Sequence, residues 1–211
     1  MIKNPHLAVT LPLLLAIAGC AVPTPTSVQP QPQEPLLEHS LARMSDGFRL
    51  PMRRWGGEPN PAIVALALHG FNDYSRAFEP LGEALAAAGV TTYAVDQRGF
   101  GDTEQAGRWH GSDQLHADLR GLLELLRERH PQSRLVVIGE SMGAAVALGA
   151  AMHAPLDTDG LVLVAPAVWS RDTMPWYQRL ALSIAARTLP ALELTGEGLE
   201  IYPSDNEPML I

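Results

Sequence analysis

Residues 134–154 read RLVVIGESMGAAVALGAAMHA, an apolar run and a segment of small residues joined by a serine that lies between two glycines. The apolar run, residues 134–140, is typical of a strand buried on both faces of a parallel sheet, and residues 142–154 predict a helix. A tight turn between strand and helix lifts a serine hydroxyl out at the end of the sheet, and Gly139 and Gly143 leave room for that turn. The segment therefore predicts that Ser141 is a nucleophile.

The same alternation of strands and helices extends to both sides of this segment. Three further apolar runs have the character of buried strands: 62–70, 90–96 and 160–168. Helical spacing of apolar residues occurs twice, as Phe78, Leu81 and Leu85 within 75–88, and as leucines 115, 119, 122 and 126. Upstream, the pair Asp46-Gly47 within 39–57 predicts a β-hairpin. This order predicts the α/β class, with a doubly wound, mostly parallel sheet.

The composition limits the class of protein. With 211 residues, of which 46% are hydrophobic, the chain is long enough for one domain with a substantial core. The 15 Lys and Arg residues against 23 Asp and Glu residues leave a formal charge of −8 and no basic stripe. A nucleic-acid partner is therefore not expected, since nothing would neutralise its phosphates.

The N-terminus predicts export and a lipid anchor. Lys3 precedes a 13-residue apolar run, which is too short to span a membrane but suits the core of a signal peptide at residues 1–19. The run ends in Ile17-Ala18-Gly19-Cys20, which resembles the processing box of bacterial lipoproteins, so Cys20 is expected to carry lipid and anchor the protein to a membrane. The proline-rich segment 20–36 predicts an extended tether, and the resemblance implies an outer-membrane location in the bacterial envelope.

Two loops at the predicted strand ends add to the site. HGFNDYS (69–75) follows the first long strand, where a second oxyanion donor belongs, so the backbone N–H groups of Phe71 and Met142 are expected to face the developing oxyanion. DQRGFGDT (96–103) follows the next strand and is interpreted as a structural turn.

These three motifs, in this order, resemble the monoacylglycerol lipase and lysophospholipase branch of the α/β-hydrolase superfamily, often labelled serine aminopeptidase-like. Thr103 stands where this branch commonly has serine, a difference expected to be harmless. The resemblance implies hydrolysis of lipid esters without metal or cofactor, by a Ser, Asp and His triad in that chain order. It also implies an α/β-hydrolase core at 37–170 and the beginning of a helical cap or lid at 171–211, with PSDNEPM (203–209) inside the cap.

The histidine of such a triad is missing from its expected place. Only His153 follows Ser141, and twelve helical residues separate them by roughly 18 Å, so His153 is expected to cap a helix end instead. By resemblance His69 supports the oxyanion loop, while His39, His110, His116 and His130 are expected at the surface.

Among the acids, Asp96 and Glu140 are interpreted as structural and Asp205 as part of the cap. Asp172 remains a possible triad acid. The expectation is that the sequence is the N-terminal part of a longer hydrolase, with the acid and the base beyond residue 211, and that this chain alone is inactive.

A stripe of Trp176, Leu180 and Ile184 recurs at helical spacing. It is expected to pack onto the core, with an acyl chain or the bilayer as the alternative. In a shortened chain the stripe and an open sheet edge would be exposed, which predicts poor solubility.

The function expected from all of these features is a membrane-tethered serine hydrolase of lipid esters. Two alternatives stay open, a non-catalytic lipoprotein that binds a ligand through the same fold, and an acyltransferase that uses the same nucleophile. An aspartate nucleophile is disfavoured because position 141 is serine.

Overall fold

A computed structural model describes residues 34–168 and 174–188, which form a seven-stranded sheet covered by helices. The strands are β1 (Leu36–Leu37), β2 (Leu41–Arg43), β3 (Arg49–Trp55), β4 (Ile63–Leu68), β5 (Val90–Val95), β6 (Arg134–Glu140) and β7 (Gly160–Val164). The helices are α1 (Glu79–Ala87), α2 (Ser112–Arg129), α3 (Met142–His153) and α4 (Trp176–Thr188), and a 3₁₀ turn at Ser75–Phe78 leads into α1.

The order of the strands confirms the predicted α/β class. Across the sheet they run β1-β2-β3-β5-β4-β6-β7, and β5, β4, β6 and β7 are parallel to one another. β4 lies between β5 and β6, with Leu68 opposite both Val95 and Gly139, so the ends of three strands meet at one edge. This edge is where ligands bind in open α/β sheets, at the point where the strand order reverses.

The core has one layer on each face of the sheet. On one face, Leu66 and Val137 pack with the leucines of α2 and with Val146 of α3. On the other face, Ala67 and Ala94 pack with Phe78. Alternate residues of β4 therefore serve different layers, which is why its sequence is apolar throughout.

The hairpin expected around Asp46-Gly47 is present between β2 and β3. Gly47 has a φ of 80°, and the Asp46 carboxylate accepts a hydrogen bond from the Phe48 backbone N–H at 3.0 Å. A left-handed φ and a side chain that bonds its own turn are what Gly and Asp supply there.

The buried face of α1 differs from the prediction. Leu81, expected on that face, is 39% exposed, and Gly82 is buried instead. The Trp55 indole lies where a side chain at Gly82 would be, since a Cβ there would come within 2.3 Å of the ring. The helix approaches the sheet through its glycine, and Leu81 is rotated toward solvent.

Several expectations fall on residues outside the described ranges. These are the signal peptide at 1–19, Cys20, the tether as far as residue 33, Asp172, Asp205 and the motif 203–209. Within residues 34–168 and 174–188, no helix has the length and apolarity that crossing a membrane would require.

Candidate active site

Ser141 occupies a strained turn between β6 and α3. Its φ of 49° and ψ of −107° are unusual for a residue with a side chain, and such strain costs on the order of 1–3 kcal/mol. The backbone around it holds the turn: the Ser141 N–H donates to the Val164 carbonyl at 2.9 Å, and the Ser141 carbonyl accepts from the N–H groups of Ala145 and Ala167. The geometry is that of a serine presented at the end of a strand.

The two glycines beside Ser141 are required by close backbone contacts. A Cβ at Gly143 would lie 2.1 Å from the Leu68 carbonyl oxygen, and one at Gly139 would lie 2.6 Å from the Cα of Ala144. Real Cβ atoms essentially never approach other atoms so closely. Glycines at these positions therefore let α3 start directly against β4 and β6.

The two expected oxyanion donors flank Ser141 along the chain and across the sheet. Met142 follows it, and Phe71 follows Gly70, where a Cβ would lie 3.5 Å from the Ser141 Cβ. Among the described residues, none accepts a hydrogen bond from the backbone N–H of Phe71 or of Met142. An oxyanion donor must be free of such acceptors, and the expected role of the two amides agrees with this observation.

His69 is fully buried beneath this loop, and both of its ring nitrogens are bonded. Nε2 accepts the Gln97 backbone N–H at 2.9 Å, so Nδ1 carries the proton and donates it to the Gly70 carbonyl at 2.7 Å. Burial lowers the pKa of His69 below its ordinary value of 6.5, which keeps the ring neutral. With neither nitrogen free, His69 cannot act as a base.

The bond to Gly70 acts directly on an expected donor. The carbonyl of Gly70 and the N–H of Phe71 belong to one planar peptide unit, so a hydrogen bond to the carbonyl also orients the N–H. The contacts of His69 therefore hold the loop that follows β4 in place.

The DQRGFGDT loop has structural contacts throughout. Asp96 accepts the backbone N–H groups of Ser75 and Asp102, each at 2.8 Å, and so joins the two loops. The Thr103 hydroxyl donates to the Phe100 carbonyl at 2.8 Å, as a serine hydroxyl could. The Asp96 carboxylate is engaged by these bonds, and Glu140, next to Ser141 in sequence, is exposed.

Arg98 of this loop is the centre of a buried ionic cluster that the sequence did not reveal. Its guanidinium makes two bonds of 2.7 Å to Asp118 and a further one of 2.7 Å to Asp46. It also lies 3.9 Å above the Phe48 ring. The cluster ties the loop to α2 and to the hairpin, away from Ser141.

No histidine side chain in the described part of the chain is hydrogen-bonded to Ser141. His153 lies at the far end of α3, where Nδ1 donates to the Gly149 carbonyl at 2.7 Å, as expected of a helix-end residue. His39 is exposed, also as expected. The Ser141 hydroxyl has no hydrogen-bonded base among the described residues.

Three histidines that were expected at the surface are at least partly buried. His130 is buried and its Nε2 bonds the Tyr93 hydroxyl at 2.9 Å, while His110 packs against the Phe48 ring. His116 of α2 is half-buried, and its ring lies over Gly149 of α3, within 2.7 Å of where a Cβ would be. Apolar partners that are distant in sequence cover these rings, and local sequence does not show such partners.

A groove of about 400 Å³, termed the serine groove, opens beside Ser141. Met142, Ala145 and Val146 of α3 line one side, and Ser112 and His116 of α2 line the other. Phe71 and Trp109, which are 63% and 55% exposed, form the rim of the serine groove. The same two residues also line a second cavity of about 360 Å³. A groove of this size accommodates a small organic ligand.

Two further predictions concern metals and α4. No group of three or more His, Cys, Asp or Glu side chains that could hold a metal ion occurs in the described ranges. The stripe on α4 was expected to pack onto the core, or to be exposed in a shortened chain, and it is exposed: Trp176, Leu180 and Ile184 are 69%, 53% and 52% exposed. At the open edge of the sheet, Val162 and Val164 of β7 are also exposed.

Comparison of the sequence with known proteins identifies the family that it matches. The family model described as serine aminopeptidase, S33, matches residues 59–210. The chain is 29% identical over 137 residues to the monoacylglycerol lipase of Mycolicibacterium smegmatis, covering 64% of this chain and 48% of that protein. It is 28% identical over 154 residues to the human monoglyceride lipase, covering 71% of this chain and 50% of that protein.

Solved structures agree on the fold. The monoacylglycerol lipase of Paleococcus ferrophilus superposes with a TM-score of 0.54 at 23% identity, covering 69% of this chain and 54% of that one. An esterase from Exiguobacterium antarcticum superposes with a TM-score of 0.56 at 19% identity, covering 72% of this chain and 57% of that one. The chain spans about half the length of the curated relatives that it matches.

Proposed function

Because the chain belongs to the serine aminopeptidase S33 family of α/β-hydrolases, we propose that the protein hydrolyses carboxylic esters of lipids, with Ser141 as the nucleophile. The single observation that carries this proposal is the turn at Ser141. Ser141 has a φ of 49° between a strand and a helix, and the backbone N–H groups of Phe71 and Met142 bond no acceptor in the part of the chain that the structure describes. This arrangement suits acyl transfer.

The proposed chemistry has two steps. The Ser141 oxygen attacks the ester carbonyl carbon, the backbone N–H groups of Phe71 and Met142 bind the oxyanion, and the bond to the alcohol oxygen then breaks. A base takes the serine proton and gives it to the leaving alcohol. Water then attacks the acyl-enzyme, which releases the carboxylic acid and returns the proton to Ser141.

The base and its acid are not assigned to residues of this chain. The family resemblance implies an Asp and then a His after the nucleophile, and the histidines of the described residues are engaged elsewhere or lie away from Ser141. The proposal therefore concerns the protein encoded by the complete reading frame that contains residues 1–211. For the 211-residue chain alone we expect almost no turnover, since loss of the triad histidine lowers kcat about 10⁶-fold in subtilisin.

The proposed substrates are monoacylglycerols or lysophospholipids. The names of the relatives support this class, since two of them are a monoacylglycerol lipase and a monoglyceride lipase. The apolar lining of the serine groove by Met142, Ala145 and Val146 agrees with an acyl chain. Neither a metal nor a cofactor takes part in the proposed reaction.

Labelling and turnover test this proposal. A fluorophosphonate probe should label the product of the complete reading frame at Ser141, and the protein should release fatty acid from 1-monooleoylglycerol. Ser141→Ala should abolish both signals, whereas Ser45→Ala, which removes an exposed serine in the hairpin, should change neither. Labelling that persists in Ser141→Ala, or a wild-type protein inert toward all esters, would refute the proposed nucleophile. Free acid as the main product in the presence of glycerol would distinguish hydrolysis from acyl transfer.

We also propose that lipid on Cys20 anchors the protein in the bacterial envelope, with the proline-rich tether between lipid and enzyme. The short apolar run that ends at Cys20 supports this proposal. Mass spectrometry of the membrane-extracted protein should find an acylated N-terminal Cys20, and Cys20→Ser should move the protein to the soluble fraction. An unmodified Cys20 in a membrane-bound protein would show that another element is the anchor.

A further inference from the structure

The serine groove changes character along its length. Met142, Ala145 and Val146, near the nucleophile, offer no hydrogen-bonding side chain, whereas Ser112 and His116 on the opposite helix do. Ser112 and His116 are four residues apart on α2, so both side chains lie on the same face of that helix. The groove thus has an apolar part at Ser141 and a polar part at α2.

The contact of the His116 ring with α3 indicates how far the polar part of the groove lies from Ser141. The His116 ring lies over Gly149, where its Nε2 would be 2.7 Å from a Cβ. Gly149 is eight residues after Ser141 on α3, which is about 12 Å along the helix axis. Ala145 lies between them on the same face, so the floor of the groove between these points is a methyl group.

The His116 ring has hydrogen-bonding capacity that no described residue uses. His69, His130 and His153 each bond a named partner, but neither nitrogen of His116 does so among the described residues. Its other neighbour is the His153 ring, 5.4 Å away between centroids and tilted, which offers no bond. Burial, and next the proximity of His153, lower the pKa of His116, so the ring is neutral near pH 7 and has one donor and one acceptor.

We propose that Ser112 and His116 form a subsite for a polar group at the far end of the substrate's acyl arm. The substrate is then an ester whose acyl chain carries a hydroxyl or a carbonyl oxygen about ten bonds from the ester carbon. This length follows from the 12 Å separation, because an extended chain advances about 3.5 Å for every three bonds. The inference rests on the proposed function for the identity of the scissile ester, but not for the existence of the subsite.

Matched substrates test the subsite by turnover. p-Nitrophenyl 10-hydroxydecanoate and p-nitrophenyl decanoate differ only in the terminal hydroxyl, and their ratio of kcat/KM is measured for the protein of the complete reading frame. The wild-type ratio should favour the hydroxylated ester, and His116→Phe should lower the ratio about twofold to tenfold, the range for one net hydrogen bond. His116→Gln should restore most of it, and Ser112→Ala should lower it less. The matched control is His39→Phe, which makes the same substitution at an exposed histidine outside the groove and should leave the ratio unchanged.

A binding measurement separates this inference from the proposed function. Calorimetry on Ser141→Ala should show tighter binding of methyl 10-hydroxydecanoate than of methyl decanoate, and His116→Phe should remove the difference. If no ester is hydrolysed but the binding preference is present, the proposed function fails and the subsite stands. If esters are hydrolysed but His116→Phe alters neither the ratio of kcat/KM nor the binding preference, the subsite is refuted. Circular dichroism on each variant excludes unfolding as the cause.

Discussion

His69 offers a test in which catalysis and stability should respond in opposite ways to two substitutions. Its Nδ1 bonds the Gly70 carbonyl at 2.7 Å, within the peptide that carries the Phe71 N–H. Its Nε2 bonds the Gln97 backbone N–H at 2.9 Å. An asparagine at position 69 can place an N–H donor where Nδ1 bonds the Gly70 carbonyl. A glutamine can place an oxygen acceptor where Nε2 bonds the Gln97 N–H. Each substitution therefore keeps one of the two hydrogen bonds and loses the other.

The magnitudes follow from what each substitution leaves unpaired. In His69→Gln the Gly70 carbonyl keeps only the distant Asp73 N–H, at 3.4 Å, so the Phe71 amide loses its orientation. Losing an oxyanion donor outright costs 10²–10³-fold in kcat, and we expect about 10–100-fold for a misdirected one, with little change in KM. In His69→Asn the Gln97 N–H is buried without a partner, which costs on the order of 1–3 kcal/mol in the free energy of unfolding, while kcat should fall only about threefold.

Two assays on the same preparations decide the result. Urea unfolding measures the stability, and hydrolysis of p-nitrophenyl butyrate by the protein of the complete reading frame measures kcat and KM. We predict a crossed pattern, in which His69→Asn is the less stable variant and His69→Gln is the slower enzyme. If one variant were both the less stable and the slower, or if the glutamine variant kept its kcat, the orienting role of His69 would be refuted.

Three further predictions concern stability and pH. Gly143→Ala should lower the free energy of unfolding by about 3 kcal/mol or prevent folding, because its Cβ would lie 2.1 Å from the Leu68 carbonyl oxygen; an alanine variant as stable as wild type in urea would contradict the close contact. Arg98→Met should cost about 3–5 kcal/mol in thermal or urea unfolding, since it leaves the buried Asp118 carboxylate without its guanidinium partner and with a 3.2 Å bond from the Gln114 amide, and Arg98→Met with Asp118→Leu should recover part of the loss. Burial lowers the pKa of His69, so the unfolded chain binds a proton there that the folded protein does not. The stabilisation is complete above about pH 6.5, and it decreases as the pH falls toward the folded pKa of His69, by at most about 1.4 kcal/mol per pH unit. His69→Asn should therefore flatten the free energy of unfolding against pH in this range. If the variant has the same pH dependence as wild type, other groups cause it.

The strands and the helices were predictable because their signals are local. Strand β6 begins and ends at residues 134 and 140, as expected, because a strand buried on both faces is a continuous apolar run between polar boundaries. The turn at Ser141 was predictable for a similar reason, since only glycine tolerates the close contacts at positions 139 and 143. Such features depend on a residue and its near neighbours in sequence.

Contacts between distant segments were not predictable in the same way. Leu81 was expected to be buried, but the Trp55 indole selects Gly82 as the contact point of α1. His130 and His116 were expected at the surface, yet Tyr93 and Gly149 cover them. The periodicity of one helix does not specify which residue of another element packs against it.

The sequence by itself determined the α/β class, the position of the serine turn and the family, because each depends on patterns within single segments or on motifs in a fixed order. Only the tertiary structure decided which partners these segments have. It joined the His69 ring to the Gly70 peptide and Arg98 to Asp118, and it placed His116 in the wall of the serine groove. The physical reason is that side-chain hydrogen bonds and burial depend on distances between chain segments, which the register of the folded sheet sets.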